Sequence, residues 1–149
     1  MQTLKLPKTG VVLHYLKGPY GPTIRIDTTS RLELLAVRSL IVDLAQGQLD
    51  LVNLVQLDWI TAIGIDALIL RRFEGTKRPK KSLKRKKGKA QKIEFEWSLS
   101  AVEWWECVNL IDGLLEGPGH QYLTDEEIDD AIIELAYLES KKARERWSK

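Results

Sequence analysis

A dense run of basic residues is the feature of this sequence best suited to binding a ligand. Between Thr76 and Lys92, ten of 17 residues are Lys or Arg and none is acidic. Clustered lysines neutralise phosphates and release counterions, which gives a sequence-independent affinity for nucleic acid. Lysine outnumbers arginine, which favours contact with the backbone over bidentate recognition of bases. The predicted nucleic-acid-binding residues are Lys77, Arg78, Lys80, Lys81, Lys84, Arg85, Lys86, Lys87, Lys89 and Lys92.

The same stretch has a second interpretation. No aromatic residue interrupts it, so it lacks a local platform on which bases could stack. Residues 75–92 would then be a solvated flexible loop, or a loop that folds back on the acidic stretch Asp125–Asp130. A protein or an anionic membrane surface is a further partner that its charge would suit. The choice between RNA and DNA stays open.

Three aromatic or histidine side chains are candidates for binding a protein partner. Trp105 lies one residue away from the helical stripe that contains Trp104, so we expect it to be half exposed, and tryptophan is a common interface anchor. His120 and Tyr122 follow the end of the same helix and form a candidate pair facing a ligand. In the alternative interpretation this segment only caps the helix, with His120 beside its last carbonyl groups. The predicted partner-binding residues are Trp105, His120 and Tyr122.

Signatures of catalysis and metal binding are weak. The two histidines, His14 and His120, lack the spacing of zinc ligands, and no glycine-rich phosphate-binding motif is present. An acid–base pair of His14 and His120 that cleaves RNA is the enzymatic alternative. Nothing in the sequence brings the two residues together. We therefore expect a non-enzymatic protein with no catalytic residues, no metal and no cofactor.

The overall charge divides unevenly along the chain. The 149 residues, typical of one domain spanning 1–149, contain 23 basic and 21 acidic residues. Removing the ten basic residues of the run leaves 13 basic and 21 acidic residues, a formal charge of −8. The single cysteine, Cys107, and an N-terminus without an apolar core favour a cytoplasmic protein. Acidic residues interrupt the most apolar segment, Leu49–Leu70, so we predict no membrane span.

Repeated helix-start motifs indicate the elements that position these residues. Ser30-Arg-Leu-Glu33, Ser100-Ala-Val-Glu103 and Thr124-Asp-Glu-Glu127 each match a capping box. Apolar stripes at helical spacing follow the first two, and each stripe reaches a terminating glycine, Gly47 or Gly117. Each of these helices is preceded by an alternating strand, Thr23–Asp27 or Ile93–Trp97.

The pattern predicts an α+β fold built by degenerate ββα duplication. Val11–Leu16 and Ala67–Phe73 are the expected first strands, so the basic run would be an oversized hairpin loop inserted between two strands. We expect a two-layer fold, with a mainly antiparallel sheet covered on one face by two helices. The other face, lined by Arg25, Asp27, Glu94 and Glu96, would meet solvent or a partner. The composition of 125–149 favours a C-terminal helix. The alternative is a strand over Ala131–Leu138, because "DAIIELAYLE" echoes "DALILRRFE".

A partial resemblance covers about residues 95–123. This stretch has a strand, a tryptophan-containing helix and a closing Gly-His-Gln-Tyr-Leu turn, and it resembles the second half of small uncharacterised or immunity-type bacterial α+β proteins. The resemblance implies inhibition of a partner by direct binding. From the charge distribution we expect an accessory subunit whose acidic body docks a protein partner while the basic loop contacts nucleic-acid backbone. The alternative is an immunity-like or antitoxin-like inhibitor that acts by protein–protein binding.

Overall fold

The computed structural model describes residues 10–74, 80–87, 91–124 and 129–139. Within these residues the chain forms nine strands, two helices and a short 3-10 helix, Leu54–Gln56. The strands are β1 Val11–Gly18, β2 Gly21–Thr28, β3 Leu51–Asn53, β4 Ile60–Ile63, β5 Ala67–Arg72, β6 Leu83–Arg85, β7 Glu94–Leu99, β8 Gly119–Tyr122 and β9 Ile132–Tyr137. The helices are α1 Arg31–Gln46, which follows β2, and α2 Ala101–Leu114, which follows β7.

The strands form two mixed sheets. One has five strands in the order β4-β1-β2-β9-β8, and the other has four in the order β3-β5-β7-β6. Each contains both antiparallel and parallel pairs: β2 is antiparallel to β1 and parallel to β9, while β7 is antiparallel to β6 and parallel to β5. The α+β class is confirmed. The prediction of a single sheet is wrong, and the two sheets are mixed and not purely antiparallel.

Serine residues begin both helices, as predicted. The Ser30 hydroxyl accepts from the backbone N–H of Glu33, and the Ser100 hydroxyl accepts from that of Glu103. Glu103 also accepts from the backbone N–H of Ser100, which completes a capping box. Helix α1 ends at Gly47 in the left-handed conformation that glycine tolerates. Helix α2 ends at Leu114, before the predicted stop at Gly117.

Both sheets and both helices contribute to one hydrophobic core. Ile24 and Ile26 of β2 face inward, as do Phe95 and Trp97 of β7. The rings of Trp97 and Trp104 meet edge to face at 4.8 Å, which ties α2 to the strand that precedes it. Cys107 is buried beside them, and burial followed by the charges of nearby glutamates raises its pKa to about 12. Its predicted packing role fits this position.

The expected hairpin between Ala67–Phe73 and Ile93–Trp97 is wrong. Strand β5 runs parallel to β7, and the strand antiparallel to β7 is β6, which lies inside the basic run. A parallel pair needs a crossover of about a dozen residues or more, and this requirement accounts for the long connection from Arg72 to Glu94. The basic run is therefore not one continuous loop, because its middle contributes an edge strand.

The predicted C-terminal helix is also wrong where the structure describes the chain. Ile132–Tyr137 forms β9, a central strand parallel to β2, as the alternative interpretation proposed. The Thr124 hydroxyl, predicted to begin that helix, accepts from the N–H of Ile133 and donates to the carbonyl of Ala131. Helix-favouring composition is overridden here by burial between two neighbouring strands. Residues 125–128 and 140–149 lie outside the described part.

Candidate functional site

The middle of the basic run is held against the four-stranded sheet. We call residues 80–87 the basic segment. Its Leu83 is fully buried opposite Trp97, and the backbone N–H of Lys86 donates to the carbonyl of Glu94 at 2.8 Å. A basic sequence folds as a strand here because this one apolar residue enters the core. The neighbouring cations Lys84 and Arg85 consequently have fixed positions on a sheet edge.

Two aspartates cover the outer edge of β6. Asp129 accepts from the N–H of Leu83 at 3.0 Å and from the Ser82 hydroxyl. Asp130 accepts from the N–H of Arg85 at 2.8 Å and from Lys81 Nζ at 2.6 Å, and its own N–H donates to the carbonyl of Leu83. We call Asp129 and Asp130 the acidic clamp. The contact with Asp125–Asp130 that the second interpretation expected is thus confirmed at these two residues.

The clamp also changes the titration of Asp130. Burial alone would raise the pKa of this carboxyl, but hydrogen bonds from Lys81 and Arg85 and the charges of Lys81 and Lys84 outweigh it, so the pKa is lowered. The carboxylate therefore stays ionised, and it neutralises part of the basic segment.

Several predicted cations remain exposed and available. Lys81 is paired with Asp130, Lys86 lies 3.8 Å from Glu96, and Arg85 lies 6.0 Å from the Phe95 ring centre. No acidic partner within the described ranges pairs with the other exposed lysines, Lys80, Lys84, Lys87 and Lys92. Lys77, Arg78 and Lys89 lie outside the described residues.

A second candidate site lies on the outer face of the five-stranded sheet. The strand register aligns His14, Arg25, Glu134 and Tyr122 in one row across β1, β2, β9 and β8. Arg25 is the centre of this row, with a side chain only 13% exposed. It donates from Nε to Asp27 at 3.0 Å and from Nη1 to Glu134 at 2.6 Å, while Nη2 lies 3.8 Å from Glu139. We call this surface the pocket face.

Asp27 forms the floor of the pocket face. It is only 1% exposed, and its carboxylate interacts with Arg25 and with His14 Nε2 at 3.3 Å. Burial would raise the pKa of Asp27. The hydrogen bond with His14 and the charge and hydrogen bond of Arg25 outweigh burial, so the pKa lies below the ordinary 3.8. Arg25 and Asp27 share one sheet face, as predicted, but Asp27 is buried beneath it. The prediction that Glu94 and Glu96 line the same face is wrong, because they lie on β7 of the other sheet.

Aromatic side chains form the rim of the pocket face. The Tyr20 and Tyr122 rings meet edge to face at 6.3 Å, and His120 lies 5.3 Å from Tyr122. Tyr20 is 65% exposed and Tyr122 is 44% exposed. His120 belongs to β8 and pairs with Glu139 at 2.9 Å, so the helix-cap interpretation is wrong. The structure thus brings together His120 and Tyr122.

Trp105, the third predicted partner-binding residue, lies elsewhere. It is on α2 and 39% exposed, which agrees with the predicted half exposure. It is remote in sequence and element from the pocket face, so the three residues do not make one site. Sequence reasoning missed Tyr20 and Glu134 as site members and named His14 only in the enzymatic alternative. The antiparallel pairing of β1 with β2 aligns His14 with Arg25, and the parallel pairing of β2 with β9 adds Glu134.

The histidines make separate carboxylate pairs. His14 contacts Asp27 and His120 contacts Glu139, and three strand spacings, roughly 14 Å, separate β1 from β8. A single reacting group cannot lie within hydrogen-bonding distance of both. Among the described residues, no group of three His, Cys, Asp or Glu is placed to hold a metal ion.

The row of polar residues lies in a concavity. It has a volume of about 150 Å³, with Leu16, Pro19 and Ile132 supplying apolar wall and the Arg25 cluster supplying the floor.

No family model, curated protein or solved structure matches this chain. None of the helices in the described ranges has the length and apolarity required to cross a bilayer.

Proposed function

We propose that this protein is a non-enzymatic binding subunit that docks a protein partner on the pocket face. The observation that carries the proposal is a concave surface with exposed tyrosines above a buried, internally paired charge cluster. Tyrosine is enriched at interface centres because it offers a large contact area and a hydrogen-bonding hydroxyl. Hydrogen bonds from Arg25 Nε to Asp27 and from Nη1 to Glu134 hold the floor in place without a ligand, although the buried Nη2 of Arg25 has no hydrogen-bond partner in the described part of the chain. A preformed surface of this kind lowers the ordering cost of association.

In the same proposal the basic segment contacts nucleic-acid backbone. The exposed Lys84 lies on β6, an ordered sheet edge, and the exposed Lys80 and Lys87 lie before and after this strand in the same segment. Ordered cations lose less conformational freedom on meeting phosphates than cations on a free loop would. Lysine charges neutralise phosphates without reading bases, so the expected binding is independent of sequence and sensitive to salt.

The alternative function is inhibition of a partner enzyme, as in immunity or antitoxin proteins. The observation favouring it is that carboxylates outnumber cations around the pocket, which suits a partner with a basic surface. In this alternative the acidic clamp holds the basic segment, and its lysines remain in solvent. The partial resemblance over 95–123 supports the same class of function.

Retention on heparin or labelled single-stranded RNA tests the nucleic-acid contact. We expect wild-type protein to be retained and to elute as salt rises. The double variant Lys84→Ser/Lys87→Ser should elute at clearly lower salt. The matched control, Lys17→Ser/Arg31→Ser, removes two exposed charges from other elements and should elute close to wild type. Equal shifts in the two doubles would show attraction to net charge alone and refute a specific basic site.

Co-purification from the native host tests docking on the pocket face. Tyr122→Ala should lose a partner that wild-type protein retains, because it removes an aromatic side chain from the rim. Trp105→Ala removes a similarly exposed aromatic from α2 and should keep the partner. If Trp105→Ala loses the partner and Tyr122→Ala keeps it, the docking surface lies on the helices and not on the pocket face. A captured enzyme whose activity falls on adding this protein would select the inhibitor alternative.

We also infer that the two strand–helix units derive from one duplicated ββα unit. Support comes from their matching surroundings: β2 and β7 each lie between one antiparallel and one parallel strand, and each precedes a serine-capped helix. The first strand of the second unit is then β6, in place of the originally expected Ala67–Phe73. An experimental structure in which β6 does not pair with β7 would remove this support.

A further inference from the structure

The charges around the pocket floor do not balance. One guanidinium, Arg25, faces three carboxylates: Asp27 at 3.0 Å, Glu134 at 2.6 Å and Glu139 at 3.8 Å. His14 and His120 add positive charge only when they are protonated. With both histidines neutral, these four described side chains have a summed formal charge of −2, although an arginine lies at the centre. An entering anion would meet this excess of carboxylates.

The rim has the same electrostatic character. Burial raises the pKa of Tyr122, and the nearby Glu134, Tyr20 and Glu139 raise it further. The charges of Glu134 and Glu139 disfavour other anions at the rim and attract cations, whereas burial disfavours a charge of either sign. An aromatic face of Tyr20 or Tyr122 would add cation–π attraction for a charged group that lies against it.

The size of the pocket limits what can enter it. The concavity has a volume of about 150 Å³. Pockets for drug-sized ligands and cofactors run from about 300 to 1,000 Å³. One long side chain fits this space. The apolar wall of Leu16, Pro19 and Ile132 would contact a methylene stem, while the carboxylates would meet its end.

We propose that this pocket binds a single cationic side chain, Lys or Arg, presented by the protein partner that docks on the pocket face. The inference rests on the proposed docking function and adds the chemistry of the contact. The methylene stem lies along the apolar wall beside Tyr20 and Tyr122. The charged end approaches Glu134 and Glu139 without displacing Arg25 from Asp27.

Titration with small probes, followed by backbone amide NMR, tests this inference in the full-length protein. The probes are the N-acetyl N-methylamides of lysine, norleucine and glutamate, which share one backbone and differ in the side chain. We expect the lysine probe to bind in the millimolar range and to shift amides of β1, β2, β8 and β9. The norleucine probe should bind about tenfold more weakly, since it keeps the apolar stem and lacks the charge, and the glutamate probe should give no site-specific shifts.

Two variants localise the effect. Tyr20→Ala removes an exposed rim side chain without disturbing the core, and it should weaken the lysine probe about threefold or more. Val102→Ala on α2 removes an exposed apolar side chain that does not line the pocket, so it is the control and should leave the affinity unchanged. Melting curves of both variants establish that they fold.

The outcomes separate this inference from the docking proposal. Norleucine binding as tightly as lysine, glutamate binding more tightly, or shifts confined to other elements would each overturn the cation pocket. If partner capture depends on Tyr122 but the lysine probe does not bind, the docking proposal stands and the proposed cation pocket is rejected. A lysine probe that shifts the predicted amides while no partner is captured would retain the pocket and reject the docking proposal.

Discussion

The outer surfaces around β2 and β7 place opposite charges at corresponding positions. Arg25 lies three residues before the end of β2, and Glu96 lies three residues before the end of β7. Arg25 is flanked in register by His14 and Glu134, whereas Glu96 is flanked by Lys84 and Ile69. On β2 the charge lies under an aromatic rim. On β7 it contacts the exposed Arg71 on an open surface.

This difference separates two kinds of recognition. Paired charges below a concave rim are poorly screened by salt and select a partner by shape and short-range contacts. Exposed lysines on a flat edge act through long-range attraction that salt screens. The same local unit, a strand that leads into a serine-capped helix, thus supports a pocket in one sheet and a charged edge in the other. Variants of equivalent residues should therefore behave differently.

The largest difference is expected when the central charge of each surface is removed. Arg25→Ala leaves the buried Asp27 without its main cationic partner, and breaking a buried pair costs about 3–5 kcal/mol. Glu96→Ala breaks partly exposed pairs and should cost less than about 1 kcal/mol. Urea unfolding with an unchanged m-value measures both losses. Equal losses of unfolding free energy in the two variants would contradict the deeper burial of the Arg25 pairs.

The acidic clamp should matter next most for stability. Asp129→Ala removes the acceptor for the N–H of Leu83 and for the Ser82 hydroxyl, and a part-buried donor without a partner costs about 1–3 kcal/mol. Amide hydrogen exchange should accelerate at Leu83 and stay unchanged at Arg25 and Ile26. Faster exchange throughout both sheets would mean that Asp129 supports the whole domain and not the β6 edge.

Acid should destabilise the pocket face through Asp27. Its pKa is lower in the folded protein than the ordinary 3.8, so its stabilising contribution is fully present above about pH 4 and is lost as the pH falls through the folded value. Each unit of difference is worth about 1.4 kcal/mol. Asp27→Asn should flatten the dependence of unfolding free energy on pH below 4. Asp66→Asn, a change at an aspartate on the other sheet, is the control and should keep the wild-type slope. A steep acid loss that persists in Asp27→Asn would assign it to other carboxyls.

Local patterns predicted local structure well and pairing poorly. The serine caps, the inward faces of Ile24, Ile26, Phe95 and Trp97, and the buried Cys107 all follow from spacing within a few residues. The parallel pairs β2–β9 and β5–β7 join segments distant in sequence, and no local pattern encodes which strands become neighbours. Strand β9 was ambiguous because its Glu, Ala and Leu favour a helix in isolation. The echo of "DALILRRFE" in "DAIIELAYLE" was the signal for it: both stretches form strands, each parallel to a strand that leads into a helix.

The candidate sites divide in the same way. The basic run was visible from composition, but its ordering depends on Leu83 entering the core and on the remote Asp129 and Asp130. His120 and Tyr122 were identified individually. Their neighbours Tyr20 and Glu134 come from other strands, so the pocket exists only after the sheet has formed.

The smallest expected effect concerns the competition between the acidic clamp and a polyanion. Asp130→Asn removes the charge that pairs with Lys81 but leaves a side-chain oxygen that can accept from the N–H of Arg85. The affinity for labelled single-stranded RNA should rise about twofold to fivefold, which corresponds to an exposed ion pair worth about 0.4–1 kcal/mol. The gain should shrink as salt is added, because it is electrostatic. Binding of the lysine probe to the pocket face should not change, because Asp130 contacts β6 and none of the pocket residues. An unchanged RNA affinity would mean that Lys81 does not face the phosphates, and the nucleic-acid contact would then depend on the lysines that have no acidic partner in the described ranges.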